Sequence, residues 1–280
     1  MSQAAAVRDL TRMFALYNVA GAMAGAVGAL ASAIPALLAA RYGRNLAAAQ
    51  RSGFVGYAML SVIALLVYRG LTPAIEAEKR ERTMRALEKS RAIVVRLSIL
   101  FSLDSLGGGF VIQSLLALWL FRRYQISPQM AGTFFFAAGL LGSLSQFVSS
   151  ALADRFGRIN TMVFTHIPSS VFLILAAVMP SAGWAMGFLL ARFSISQMDV
   201  PARQSYVMAV VPPEERAGAA SVTNVPRSLA SALAPLPAGA MLERSTIGWP
   251  LVCAGVLKIA YDFLLLAQFR AIKPADESAE

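Results

Sequence analysis

The sequence is poor in the side chains from which most catalytic and metal sites are built. It has one cysteine, Cys253, so neither a disulfide within the chain nor a cysteine-based metal site is possible. With one histidine, His166, a zinc site, a histidine-based catalytic triad or a haem-type site would be hard to build. No G-x-x-x-x-G-K-[ST] motif occurs, which excludes a P-loop ATP-driven motor. We therefore predict that the protein is not an enzyme and has no bound cofactor.

Charged residues are scarce as well. They make up 14% of the chain, against about 25% in soluble domains, while 57% of the residues are hydrophobic. This composition predicts a membrane protein with the lipid bilayer as its surroundings. The net charge of +10 does not indicate a nucleic-acid partner, because the basic residues lie at the ends of apolar runs, where they orient a chain in a membrane.

Long apolar segments account for most of the chain, and each is near or above the ~20 residues that span a bilayer. In lipid such segments must be helices, because the backbone finds no water to bond. The predicted fold class is all-α, a polytopic transmembrane helix bundle of about eight spans. The predicted spans are 13–40, 53–69, 94–121, 130–152, 160–179, 183–211, 216–241 and 248–269.

The distribution of lysine and arginine predicts the orientation. With both termini in the cytoplasm, most basic residues lie on the cytoplasmic side, although the 41–52 loop and the Arg122-Arg123 pair run against this bias. The first apolar stretch is too long for the ~7–15-residue core of a cleaved signal peptide. We expect a multi-pass protein of the inner (plasma) membrane.

One hydrophilic stretch, 70–92, divides the chain. Its mixed charges predict an exposed, partly helical cytoplasmic linker. Residues 1–69 then hold two predicted spans, residues 93–272 hold six, and residues 273–280 form a cytoplasmic tail.

A short charged turn lies between the predicted spans 130–152 and 160–179. It reads Ala-Asp-Arg-Phe-Gly-Arg and contains Asp154, Arg155, Gly157 and Arg158. Glycine permits the backbone reversal, and an aspartate can lie over the positive end of a neighbouring helix. Between two spanning segments this pattern resembles the signature loop of the major facilitator superfamily of secondary transporters, which reads roughly G-x-L-A-D-R-x-G-R-R/K.

Two positions depart from that signature: Ser150 stands at its first glycine and Ile159 at its last basic residue. The resemblance implies that the six later spans match the second half of such a transporter. The two earlier spans match helices five and six, and helices one to four have no counterpart. It also implies a conformational-switch role for the loop, with Asp154 near the start of the first span, at 10–14. That start, with Gly21 and Gly25 after it, resembles the start at Arg216 of a symmetry-related helix.

The implied function is transport of a small solute by alternating access, driven by a proton gradient, with drug or metabolite efflux as the expected activity. Two alternatives stay open. The chain is a truncated, inactive fragment, or it is a subunit that a second chain completes by supplying the missing helices.

Polar residues inside predicted spans are the candidate substrate and proton-coupling sites, because they are costly in lipid. In the third span, Asp104 precedes three glycines that weaken the helix at 107–109. We expect a carboxylate–guanidinium pair among Asp104, Asp199 and Arg227, with a fixed structural pair as the rival role. The candidates are Asp104, Gln113, Arg192, Asp199 and Arg227.

Three further ionisable residues are predicted to play local roles. Lys258 and Asp262 are four residues apart on the last span, so they share a helix face and are expected to neutralise each other. His166 is expected to be an interfacial or packing residue.

Overall fold

The computed structural model describes residues 10–31, 34–43, 45–70 and 87–270, and the regular structure of these residues is helical. This confirms the predicted all-α class. The helices are α1 (Leu10–Ala31), α2 (Ile34–Tyr42), α3 (Leu46–Arg69), α4 (Arg91–Gly109), α5 (Gln113–Tyr124), α6 (Pro128–Phe156), α7 (Arg158–Val178), α8 (Ala182–Ser196), α9 (Asp199–Val210), α10 (Arg216–Leu233), α11 (Pro235–Arg244) and α12 (Trp249–Phe269).

Five stretches of the described chain are helical, long and apolar enough to cross a membrane, which is fewer than the eight predicted spans. They are Ala47–Arg69, Arg91–Tyr124, Pro128–Phe156, Arg158–Val178 and Trp249–Phe269. The other predicted spans are helical but interrupted or more polar. Residues 183–211 divide into α8 and α9, and residues 216–241 divide into α10 and α11. Pro235 begins α11 because a proline fits the first turn of a helix better than its interior.

Hydrogen bonds and close contacts give the relative directions of four helices. α4 and α10 run parallel, because Ser98 donates to the Val222 carbonyl (2.8 Å) and, further along both helices, Arg227 donates to Ser105 (3.1 Å). α12 runs antiparallel to α4 and α7, which therefore begin at the same end of the bundle. We call this end, where residues 87–90 lead into α4, the linker end.

Glu215 links the residues before α4 to the start of α10 at the linker end. Its carboxylate accepts the backbone N–H groups of Glu88 (3.1 Å), Lys89 (3.0 Å) and Ser90 (3.0 Å), and also the Ser90 hydroxyl. The side chain just before α10 therefore binds the backbone N–H groups of the three residues that lead into α4. These hydrogen bonds lower the pKa of Glu215 from 4.5 to about 2, with the Ser90 hydroxyl as the largest cause.

The first helices differ in how they are packed. α1 packs on α6 and α9, and its Asn18 donates to Gln204 of α9 at 2.8 Å. α3 packs mainly on α2, with Gly53 beside Pro35. The most apolar stretch of α3 has no buried residue. Such an apolar, exposed surface is suited to lipid or to further transmembrane helices.

Candidate functional site

Asp104 lies at the centre of a group of buried charges. Its side chain is 7% exposed, and its two oxygens have different partners. Lys258 of α12 donates to Oδ1 at 2.6 Å, and Arg203 of α9 donates to Oδ2 at 2.9 Å. One carboxylate of α4 therefore joins two other helices through charge-assisted hydrogen bonds.

Close helix packing brings Lys258 to Asp104. A Cβ at Gly107 would lie 3.1 Å from the Lys258 Cγ and 3.2 Å from the Ala254 carbonyl, so a larger residue would push α12 away from α4. The glycines at 107–109 also end α4, and α5 begins at Gln113. The sequence predicted a weakened helix at this point.

Asp199 is the second carboxylate of the group. It begins α9, where a negative charge is favoured by the helix dipole, and its Oδ2 lies 3.2 Å from Arg203 Nη1, one turn further along. Arg203 thus binds Asp104 and Asp199 through the same nitrogen. Its guanidinium also lies 5.7 Å from the centre of the Phe101 ring.

His166 bridges the second part of the group. Its Nδ1 lies 3.0 Å from both oxygens of Asp262, and its Nε2 lies 3.6 Å from Asp104 Oδ1 and 3.5 Å from Lys258 Nζ. His166 is 4% exposed and Asp262 is fully buried. In the described part of the chain, Asp262 forms its ion pair with His166, which is charged only when protonated.

We call these side chains the buried charge cluster. Its members come from α4, α7, α9 and α12, so it joins four helices of the bundle. The members are Asp104, His166, Asp199, Arg203, Lys258 and Asp262. Beside it, the Tyr261 hydroxyl is buried and has no hydrogen-bond partner among the described residues. No group of His, Cys, Asp and Glu in the described chain is arranged to hold a metal ion.

The structure brings together two of the predicted candidates, Asp104 and Asp199. A carboxylate–guanidinium pair forms as expected, but the guanidinium belongs to Arg203 instead of Arg227. Arg227 donates to Ser105 Oγ and to Asn224 Oδ1, both at 3.1 Å. It therefore lies beside the cluster, on the α10 side of α4.

The other two candidates lie outside the cluster. Gln113 is exposed at the start of α5. Arg192 of α8 lies 4.9 Å from the centre of the Phe193 ring, and its Nε is buried without a hydrogen-bond partner in the described chain.

The expected local pair of Lys258 and Asp262 is wrong. Both lie on one face of α12, but α4 offers Asp104 to Lys258 and α7 offers His166 to Asp262. The expected interfacial position of His166 is also wrong, because the ring is buried between two carboxylates, where it also packs against Tyr261. One signal was available in the sequence: buried ionisable residues in apolar helices need partners, which applies equally to His166 and Arg203.

The charged turn lies at the linker end, between α6 and α7. Gly157 has φ 82°, which confirms that a glycine is needed there. Asp154 and Arg155 are exposed, whereas Arg158 is buried and its Nε donates to Ser205 Oγ of α9 at 3.1 Å. The turn is therefore attached to the helix that carries Asp199 and Arg203.

The antiparallel packing of α6 on α1 agrees with the expected position of Asp154. Gly132 contacts Ala29, and Gly139, nearer the end of α6, contacts Ala26. The end of α6 thus points toward the start of α1. The side chains at 10–12 and 14 lie outside the described residues, so a contact of Asp154 with that helix start stays a prediction.

A bundle of long apolar helices, with buried charges joining them and a charged turn at one end, is typical of a polytopic membrane protein. The sequence model of the Major Facilitator Superfamily matches residues 1–235 and 97–279. The chain belongs to this superfamily of membrane transporters and is not an enzyme.

One relative is an uncharacterized membrane protein of Saccharomyces cerevisiae, YJR124C. It is 24% identical over 193 residues, which cover 69% of this chain and 43% of the relative. The chain thus matches less than half of the length of that relative. No solved structure matches the chain significantly.

Proposed function

We propose that this chain carries the coupling machinery of a proton-driven transporter of a small solute. The observation that supports it most directly is the link from Asp262 through His166 to Asp104, whose other partners are Lys258 and Arg203. A buried titratable group within a network that joins four helices can convert a proton into a change of helix packing.

His166 gives this coupling a chemical form. Neutral His166, with its Nδ1–H donated to Asp262, has a free Nε2 lone pair that accepts from Lys258. Protonated His166 donates from Nε2 to Asp104 Oδ1 and competes there with Lys258. A proton on His166 therefore weakens the ion pair between α4 and α12 while it strengthens the pairing with Asp262.

The surrounding charges set the field at His166. Asp104 faces it from α4, and Lys258 and Asp262 face it from α12. Arg203 and Asp199 of α9 lie behind Asp104. At longer range, Arg192 of α8 and Arg227 of α10 interact electrostatically with both Asp104 and Asp199.

The proposed setting is the inner (plasma) membrane with the linker end in the cytoplasm. In support, more basic residues lie at the linker end of α4 to α12 than at the opposite end, which carries Arg122, Arg123 and Arg244. The linker end carries Lys89, Arg91, Arg96, Arg155, Arg158, Arg216 and Arg270. Efflux of a drug or a metabolite stays the predicted activity. The loop of Asp154, Arg155, Gly157 and Arg158 stays the predicted conformational switch.

Completion by further helices is part of the proposal, because alternating access requires two halves that move around a shared site. The match to 43% of the yeast relative and the exposed apolar α3 support it. A second chain or a segment encoded upstream would supply these helices. The competing hypothesis is an inactive fragment.

The experiment is proton-gradient-driven flux of fluorescent cations and anions into vesicles containing the chain, alone and with the segment encoded upstream of Met1. The test variants are Asp104→Asn and Asp199→Asn, and the control is Glu243→Gln, which neutralises an exposed carboxylate of α11. We expect flux that both test variants reduce and the control retains. Absence of flux in both preparations would contradict the proposal and favour the inactive fragment.

A further inference from the structure

A polar groove lies between α4 and α10, beside the buried charge cluster. Its volume is about 540 Å³, within the range of small-molecule sites. Ser105 and Ile112 line it from the α4 side, Pro235 lines it from the start of α11, and the other lining residues belong to α10. The polar residues of α10 in its lining are Asn224, Arg227, Ser228 and Ser231.

These α10 residues share one helix face, because they follow one another at spacings of three, one and three residues. Asn224 and Ser228 are exposed, and Arg227 is partly buried. A guanidinium and an amide facing lipid would be costly. This face is therefore suited to water, to a bound solute or to a polar surface of the helices proposed to complete the transporter.

Arg227 differs from the cations of the cluster in its partners. Arg203 and Lys258 are each paired with a carboxylate. Arg227 binds the neutral groups Ser105 Oγ and Asn224 Oδ1, and no carboxylate in the described part of the chain forms an ion pair with it. These two hydrogen bonds use two of its five N–H donors and fix the plane of the guanidinium.

We propose that this groove binds the carboxylate of a small organic acid, and that Arg227 is the residue that recognises it. The remaining N–H donors of Arg227 suit a planar carboxylate, and the hydroxyl groups of Ser228 and Ser231 line the same groove. This inference rests on the proposed transport function and names the class of solute.

The groove is also connected to the coupling site. Ser105, which accepts from Arg227, directly follows Asp104 in α4. Arg227 also interacts electrostatically with Arg203, Asp104 and Asp199 of the cluster. An anion on Arg227 therefore alters the field at Asp104, and the occupation of the groove influences the cluster.

The test is binding to the purified chain without any proton gradient, so that a failure of coupling and a failure of recognition are distinguishable. The probes are benzoate and succinate, with benzamide and succinamide as uncharged counterparts of similar shape, and the readout is thermal stabilisation. We expect the acids to stabilise the chain and the amides to have no effect.

The variants locate the effect. Arg227→Gln should weaken acid binding about ten- to a hundredfold, the loss expected for charged hydrogen bonds, and Arg227→Lys should weaken it less. Arg244→Gln, an exposed arginine at the opposite end, should bind like the parent chain.

Asn224→Asp gives an independent measurement. It places a carboxylate beside Arg227, so it should raise the melting temperature and remove acid binding. Three results would overturn the inference. Neither acid stabilises the chain, Arg227→Gln binds the acids as tightly as the parent chain does, or an acidic residue of a co-purifying chain is paired with Arg227.

Discussion

The Lys258 ammonium and the Asp104 carboxylate lie 2.6 Å apart, and this ion pair joins α12 to α4 inside the bundle. Because His166 Nε2 lies 3.6 Å from the same Asp104 oxygen, a proton on the histidine competes with the lysine for it. Asp104 therefore stabilises the bundle and belongs to the proposed coupling path.

The first prediction concerns stability. Asp104→Asn leaves Arg203 and Lys258 as buried cations without their shared partner, which should lower the free energy of unfolding by about 3–5 kcal/mol. The measurement is denaturant unfolding in detergent. The double variant Asp104→Asn/Lys258→Met also removes the buried charge of Lys258, so it should recover part of the lost free energy of unfolding. If Asp104→Asn is as stable as the parent chain, the ion pairs do not hold these helices.

The second prediction concerns the packing of α4 on α10. A Cβ at Gly109 would lie 2.5 Å from the Ser231 carbonyl and 2.7 Å from the Ala234 Cβ, so Gly109→Ala should destabilise the bundle by about 1–3 kcal/mol. Gly187 in α8 is the matched control, because no atom lies within 4 Å of its Cβ position. Gly187→Ala should be neutral or stabilise by up to about 1 kcal/mol. Equal effects of the two substitutions on the melting temperature would refute the close approach.

The third prediction concerns the pH dependence of the linker end. The Ser90 hydroxyl and the N–H groups of residues 88–90 lower the pKa of Glu215 from 4.5 to about 2. A lowered pKa in the folded state means that the ionised carboxylate stabilises the fold fully above pH 4.5 and loses this effect as the pH falls toward 2.

Glu215→Gln removes this titration. The difference in melting temperature between the parent chain and Glu215→Gln should therefore be largest above pH 4.5 and shrink as the pH falls toward 2. Carboxylates common to both proteins cancel in the comparison. A difference that stays constant across this range would show that the charge of Glu215 does not fasten α4.

The sequence was sufficient for the class of protein and for the turn at Asp154, because apolar length and a short charged motif are local properties. It also predicted the weakened helix at 107–109, where α4 ends at Gly109, since consecutive glycines destabilise a helix. It did not give the partner of Arg203, because that depends on how α9 is rotated against α4. Buried membrane helices are apolar on most faces, so hydrophobic periodicity does not report this rotation.

The same limit explains the misassigned pairs of α12. A spacing of four residues correctly places Lys258 and Asp262 on one face, but it does not show which neighbouring helices approach that face. Both α4 and α7 approach it: α4 supplies Asp104 to Lys258, and α7 supplies His166 to Asp262.

Coupling of protons to solute movement through the pair of His166 and Asp262 can be measured apart from the movement of the solute itself. In the same vesicles, proton-driven accumulation is compared with solute exchange at equal pH on both sides, for the parent chain, Asp262→Asn and the control Glu243→Gln. Asp262→Asn should lose accumulation but keep exchange, whereas the control should keep both. Full proton-driven accumulation by Asp262→Asn would rule out a coupling role for this pair.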